Sequence, residues 1–199
     1  AVLTSNPAEK LVQHTVLSPL PVVLTSQEVE RVMEICQKHR QAKKPDARYF
    51  TLFYLLISTG IKKTECLALN INHLELDQPS TPYLFVRYTN PQYRYKERKI
   101  PVPEDWVAGF EEYRNQYEIK DRLFPWSQRR LEYLLEDLSQ GAGLEKHISF
   151  DMCRWTCALL DLQSGMEKNA IRQKLGLSKV QWREIGMKLD QLAESILSD

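Results

Sequence analysis

Between Phe50 and Ser58 the chain is apolar almost all the way round a helix, with Leu52, Phe53, Leu55, Leu56 and Ile57 leaving no polar stripe. A helix with a single apolar face can lie on a surface, but one that is apolar all round must be enclosed. The segment therefore reads as the central helix of a folded domain, and Thr59-Gly60 ends it. The rest of the chain has to wrap it. With 43% hydrophobic and 27% charged residues in 199, the sequence has the apolar material to do so and does not read as disordered.

The wrapping elements are mostly helical. Thr25 and Glu28 form a capping box, in which each side chain satisfies an orphan N–H of the first turn. Val29, Val32, Met33 and Cys36 then mark one apolar face, and the basic stretch through Lys43, Lys44 and Pro45 ends that helix. A short helix is expected over about 63–69, and others at about 104–117, 128–141, 149–164 and 167–174. The last element is the most regular. Ser178 and Gln181 form another capping box, and Trp182, Ile185, Leu189, Leu192 and Ile196 fall on one stripe of an amphipathic helix over 178–197. Residues 82–89 and 95–102 are rich in β-branched and aromatic residues and read as two strands turned at Asn90-Pro91. No parallel βαβ pattern is present. The expected fold class is α+β, mainly α with a small antiparallel β-sheet, in one domain over 24–199. Residues 1–23, with Pro7, Pro19 and Pro21, read as a linker from an upstream domain, with a short helical turn at 7–12.

No apolar run approaches the roughly 18 residues a bilayer span needs, so the expectation is a soluble cytoplasmic protein with no membrane partner. Cys36, Cys66, Cys153 and Cys157 follow neither disulfide nor zinc spacing and read as buried thiols. His14, His39, His73 and His147 are scattered, and neither a metal site nor a cofactor is expected. A net charge of +1 argues mildly against a strong electrostatic partner. Its distribution is more informative, because positive charge gathers at 38–48, 87–99 and 168–188.

Several segments, in order, resemble the catalytic domain of the tyrosine recombinase (phage integrase) family. Asn6-Pro7-Ala8-Glu9 and Leu24-Thr25-Ser26-Gln27-Glu28-Val29 are similar to its interdomain linker and first helix. LLISTGIKKTECLALN at 55–70 resembles its helix followed by a TG-x-x-x-x-E turn, the most specific of these matches. YKERKIPV at 95–102 resembles the end of its β-hairpin, ISFDMCRWTCALL at 148–160 its His-x-x-Arg box, and Leu175-Gly176-Leu177-Ser178 its leucine–glycine–histidine–serine turn.

The resemblance implies transesterification at a DNA phosphodiester. Such chemistry needs a tyrosine nucleophile, cationic donors where charge builds on the phosphate, and an acid for the leaving oxygen. Here the first arginine position holds Lys62, which lacks the planar fork that grips two oxygens. Arg154 matches the second arginine. Asp151 stands where the box has histidine, as does Leu177 in the glycine turn. The hairpin lysine cannot be placed; its region holds Tyr93, Arg94 and Lys96. The nucleophile position, about nine residues beyond Leu177, falls on Ile185 or Gly186, and no tyrosine follows Tyr133. With Lys62, Asp151, Arg154 and Leu177 as degenerate positions, no catalytic residue is assigned and the chain is expected not to be an enzyme.

What remains reads as a DNA-binding protein without strand cleavage. Its contacts would be Lys62, Arg87, Arg94, Lys96, Arg98, Lys99 and Arg154, with hairpin cations interleaved by Tyr88, Tyr93 and Tyr95 and brought by strand alternation to one face. A solvated edge strand would look similar. The alternatives are a protein–protein module engaging itself or a paralogue through helix 178–197, a sequence-reading helix-turn-helix over 166–185, and an active integrase with a non-standard site.

Overall fold

In a computed structural model the chain is described over residues 19–76 and 81–198. Eight helices are seen there: α1 (Ser26–Arg40), α2 (Arg48–Thr59), α3 (Lys63–Leu67), α4 (Glu104–Gln116), α5 (Gln128–Gly141), α6 (Phe150–Gln163), α7 (Lys168–Lys174) and α8 (Lys179–Ser198). Three strands, β1 (Leu74–Glu75), β2 (Tyr83–Val86) and β3 (Arg98–Pro101), form an antiparallel sheet in that order. The expected short helical turn at 7–12 lies outside the described residues.

The all-apolar helix is where its composition requires it to be. Helix α2 packs against α1, α4, α5 and α6, and nine of its residues are buried, from Tyr49 to Thr59. Burying each Leu or Phe contributes about 1.5–3 kcal/mol. The polar atoms drawn inside with them are paired: the Trp106 indole donates to the Thr51 carbonyl (2.9 Å), and the Thr59 hydroxyl to Leu55 (2.5 Å). The α1 capping box forms as expected, with Glu28 N donating to the Thr25 hydroxyl (3.2 Å) and Thr25 N to the Glu28 carboxylate (2.8 Å). The chain just before it is tied to the domain, since Leu24 N donates to Thr156 Oγ1 and Lys146 Nζ to the Val23 carbonyl.

A second, smaller core gathers Ala158 and Leu159 of α6, Ile171 and Leu175 around α7, Leu177, and Leu189 and Leu192 of α8. Trp182, Ile185 and Ile196 pack against it half-buried. The stripe of α8 is therefore covered by its own domain, against α6 and α7. The Ser178–Gln181 capping box forms at its start. All four cysteines are free and buried.

The sheet departs from the expected hairpin in two respects. It gains β1, paired with β2 through Leu74↔Leu84, whose two residues are too few to carry a periodic signal. Tyr95 and Lys96, expected to begin the second strand, instead end a 3-10 helix over Pro91–Lys96, and β3 starts only at Arg98. Pro91 presets a helical φ, and the Asn90 side chain accepts from Gln92 N (3.0 Å), so the turn continues as a helix. Tyr95 and Lys96 thus do not share the alternation of β3, and Tyr93 and Arg94 stand with them on the 3-10 helix. On the strands themselves, Leu84, Val86 and Ile100 point inward, while Tyr83, Phe85 and Lys99 face out. Among the described residues no helix is long and apolar enough to cross a membrane.

Candidate functional site

The site is organised by the turn after α2. Gly60 adopts φ 60°, a left-handed conformation costly for any residue with a Cβ, and a Cβ there would lie 2.7 Å from Leu175 Cδ2. This sharp exit starts α3 immediately, with Lys62 N donating to Glu65 Oε2 (2.8 Å).

Glu65 is the hub. It is only 4% exposed and receives both terminal nitrogens of Arg98, each at 2.9 Å, together with the Tyr88 hydroxyl. Burial works to raise its pKa, but the Arg98 fork and charge, with Tyr88, hold it below the usual carboxylate range. Burial and the bond to Glu65 push Tyr88 up to about 12. Arg98 also donates through Nε to the Lys174 carbonyl (2.5 Å), at the end of α7. Gly176 at φ 62° makes room for it, since a Cβ would sit 2.6 Å from the guanidinium. Arg98 was expected to face a phosphate backbone. It is instead turned inward, because a buried carboxylate claims both ends of its fork.

Arg154 is likewise turned inward, donating through Nη1 to the Gly60 carbonyl and through Nη2 to Leu175 (2.6 Å). These bonds use donors without cancelling charge. No ion pair joins Arg154 to Asp151 among the described residues, and Asp151 is exposed. Lys62 stands beside this group. Burial, and then the charge of Arg154, push its pKa down; Glu65 opposes this, while Lys96 and Arg98 add to it.

Lys62, Asp151 and Arg154 line one cavity of about 640 Å³, so three of the four degenerate positions converge. Leu177 does not join them: it is 7% exposed in the smaller core and edges a separate hollow with Arg98 and Ser178. His147, read as one of four scattered histidines, lies on the wall of the first cavity. Its signal was position, in the segment that runs into the Ser149 N-cap of α6. Glu132 and Glu136 complete the far wall, the former paired with Lys63 at 3.2 Å. Ile185 and Gly186 sit inside an unbroken α8, Gly186 buried against Trp182. Among the described residues no tyrosine lines the cavity. Tyr133 is elsewhere on α5, its hydroxyl accepting from Arg129 (2.8 Å).

A helical domain with a small sheet that brings a TG-x-x-x-x-E turn and an arginine box to one cavity has the organisation of a tyrosine recombinase catalytic domain. Residues 22–185 match the phage integrase family, and the chain belongs to that family. It is 24% identical over 201 residues to the tyrosine recombinase XerD of Chlorobaculum tepidum, covering 94% of this chain and 64% of that protein. To XerC of Chlamydia pneumoniae it is 27% identical over 192 residues, covering 90% of this chain and 58% of that protein. The chain thus spans about three fifths of the length of these curated relatives. Among solved structures, the XerA recombinase superposes with a TM-score of 0.70 at 22% identity, over 90% of this chain and 64% of that one. XerH bound to a palindromic difH substrate, a post-cleavage complex, gives 0.71 at 23%, over 89% and 53%. At such identities the structural likeness speaks for the fold alone.

Proposed function

We propose that this chain binds duplex DNA through the surface around Lys62 and does not cleave it. The observation that carries this reading is that Lys62 and Arg154 meet on one cavity, with Arg98 bonded to Glu65 beside them and Lys96 near enough to add to the lowering of the Lys62 pKa. Arg87, Arg94 and Lys99 are exposed on the adjoining sheet and 3-10 helix, and among the described residues none forms an ion pair with a carboxylate. Exposed cations without carboxylate partners suit a polyanion. XerH, one of the proteins of similar fold, was solved bound to its difH substrate, which is in keeping with this reading.

The same geometry argues against cutting. Arg98 commits its fork to Glu65 and to the Lys96 and Lys174 carbonyls, and Arg154 is held by the Gly60 and Leu175 carbonyls. Asp151 and Glu136 line the cavity that a scissile phosphate would enter and repel it. No tyrosine hydroxyl is on its wall to attack. Contact therefore falls on the rim, at Lys62 and the outward cations. With five such contacts, Lys62, Arg87, Arg94, Lys96 and Lys99, a plot of log affinity against log salt should slope by roughly −4 to −5. A mobility-shift series on a random-sequence duplex from about 50 to 200 mM salt measures it. A flat profile or no binding refutes the reading. Because the apolar stripe of α8 is already occupied within the domain, the protein–protein alternative is the weaker one.

A further inference from the structure

A second cavity of about 770 Å³, lined by Glu65 and by Tyr93 and Arg94 of the 3-10 helix but not by Arg154, is one that the duplex-binding reading does not use. Its size falls within the roughly 300–1,000 Å³ of small-molecule sites. Phe85 of β2, Tyr88, and Tyr93 of the 3-10 helix bring three aromatic rings to its wall. Tyr88 and Tyr93 are tilted against each other with centroids 6.0 Å apart, and Arg87 lies over the Phe85 ring at 4.5 Å.

Among the described residues, two arginines on this wall outnumber its one carboxylate without a cationic partner. Glu65 is paired with Arg98 and bonded by Tyr88, while Glu97 accepts the Tyr88 N–H (2.9 Å) and keeps its charge. Arg87 and Arg94 have no carboxylate partner among the described residues. His73 accepts from Asn70 N through Nδ1 (3.3 Å), which leaves its other ring nitrogen as an N–H donor at the cavity edge. Aromatic faces, guanidinium groups without counter-ions and a polar edge meet in one concave space.

We infer that this cavity receives a nucleotide, its base against the rings of Phe85 and Tyr93 and its phosphate on Arg87 and Arg94. A base stacked within a duplex cannot enter a concave site, so the occupant is either a free mononucleotide or a base unstacked from a bound strand. Base–aromatic stacking suits this because every base has a π-face. The inference goes beyond duplex binding and shares only Arg87 and Arg94 with it.

The test uses Tyr93→Ala, whose ring is 43% exposed, and the double variant Tyr93→Ala/Phe85→Leu, each checked by thermal melting. Two arms are run: titration calorimetry with dAMP, and anisotropy of a labelled duplex carrying one unpaired bulged base against its fully paired twin. Saturable dAMP binding that both variants lose identifies a free nucleotide. A preference of the native chain for the bulge, of roughly ten- to a hundredfold for one stacked base, that both variants lose while paired-duplex affinity holds, identifies an unstacked one. Failure of dAMP to bind together with an equal affinity for bulged and paired duplex overturns the inference, as does a dAMP or bulge signal unchanged in both variants. If paired duplex alone is not bound, the reading of Lys62 fails and the dAMP arm still decides this one.

Discussion

Replacing Glu65 by glutamine keeps the shape of the hub and removes its charge. The carboxylate holds four groups at once: the two arms of Arg98, the Tyr88 hydroxyl and Lys62 N. The Arg98 side chain is 9% exposed and that of Glu65 2%, so the variant leaves a guanidinium buried without its counter-ion. Breaking a buried pair from one side costs about 3–5 kcal/mol. For a domain of this size about 2–4 °C is lost per kcal/mol, so the Tm should fall by roughly 6–20 °C. Urea unfolding followed by circular dichroism gives the free energy, and the Glu65→Leu/Arg98→Met pair should recover most of it by removing both charges. The pH dependence has a definite sign. Glu65 has a folded pKa below its ordinary value of 4.5, so its contribution is present above that pH and is lost as the pH falls through the folded pKa. The gap between native chain and Glu65→Gln should therefore be full at neutral pH and close in acid below about 4.5. A deficit under about 1 kcal/mol at neutral pH, or one that persists unchanged in acid, would refute the hub.

Other substitutions probe the rest of the account. Ile185→Tyr restores a hydroxyl at the expected nucleophile position, yet incubation with nicked suicide duplexes should give no covalent adduct, because Asp151, Leu177 and the inward-turned Arg98 and Arg154 remain. Gly176→Ala should cost at least about 1–2 kcal/mol in urea melts, since its φ of 62° disfavours a Cβ and Arg98 occupies the space. Leu189→Ala should cost about 2–5 kcal/mol while light scattering shows no change of mass, because Leu189 is fully buried against its own domain. A change of mass would return α8 to the role of a docking helix.

What could be read in the sequence was what local chemistry dictates. The all-apolar stretch placed α2 at the centre, and the capping boxes at Thr25 and Ser178 marked helix starts that the structure reproduces. The resemblance at 55–70 and 148–160 brought Lys62 and Arg154 to one cavity. Where the reading failed, a contact distant in the chain decided the outcome. Arg98 looked like one of several hairpin cations, and only the fold shows that Glu65, 33 residues away, captures it. A strand beginning at Tyr95 is what the aromatic and basic pattern suggests, and that pattern ignores what Asn90-Pro91 does to the backbone up to Lys96. His147 reads in the sequence as one of four scattered histidines because it lines the cavity from a loop, outside any motif spacing. The amphipathic stripe of α8 was correct as a pattern, but whether its groove lay at home or on a partner is a question of packing that periodicity cannot answer.

Binding without cleavage can be tested in one sample. The chain is incubated with fragmented genomic DNA at low salt, and half of the mixture is run natively while half is denatured in detergent before separation. A salt-sensitive native shift, weakened by Lys62→Ala, is expected, with no protein left on DNA after denaturation. A detergent-resistant protein–DNA adduct would contradict it and show that a nucleophile other than the missing tyrosine is at work.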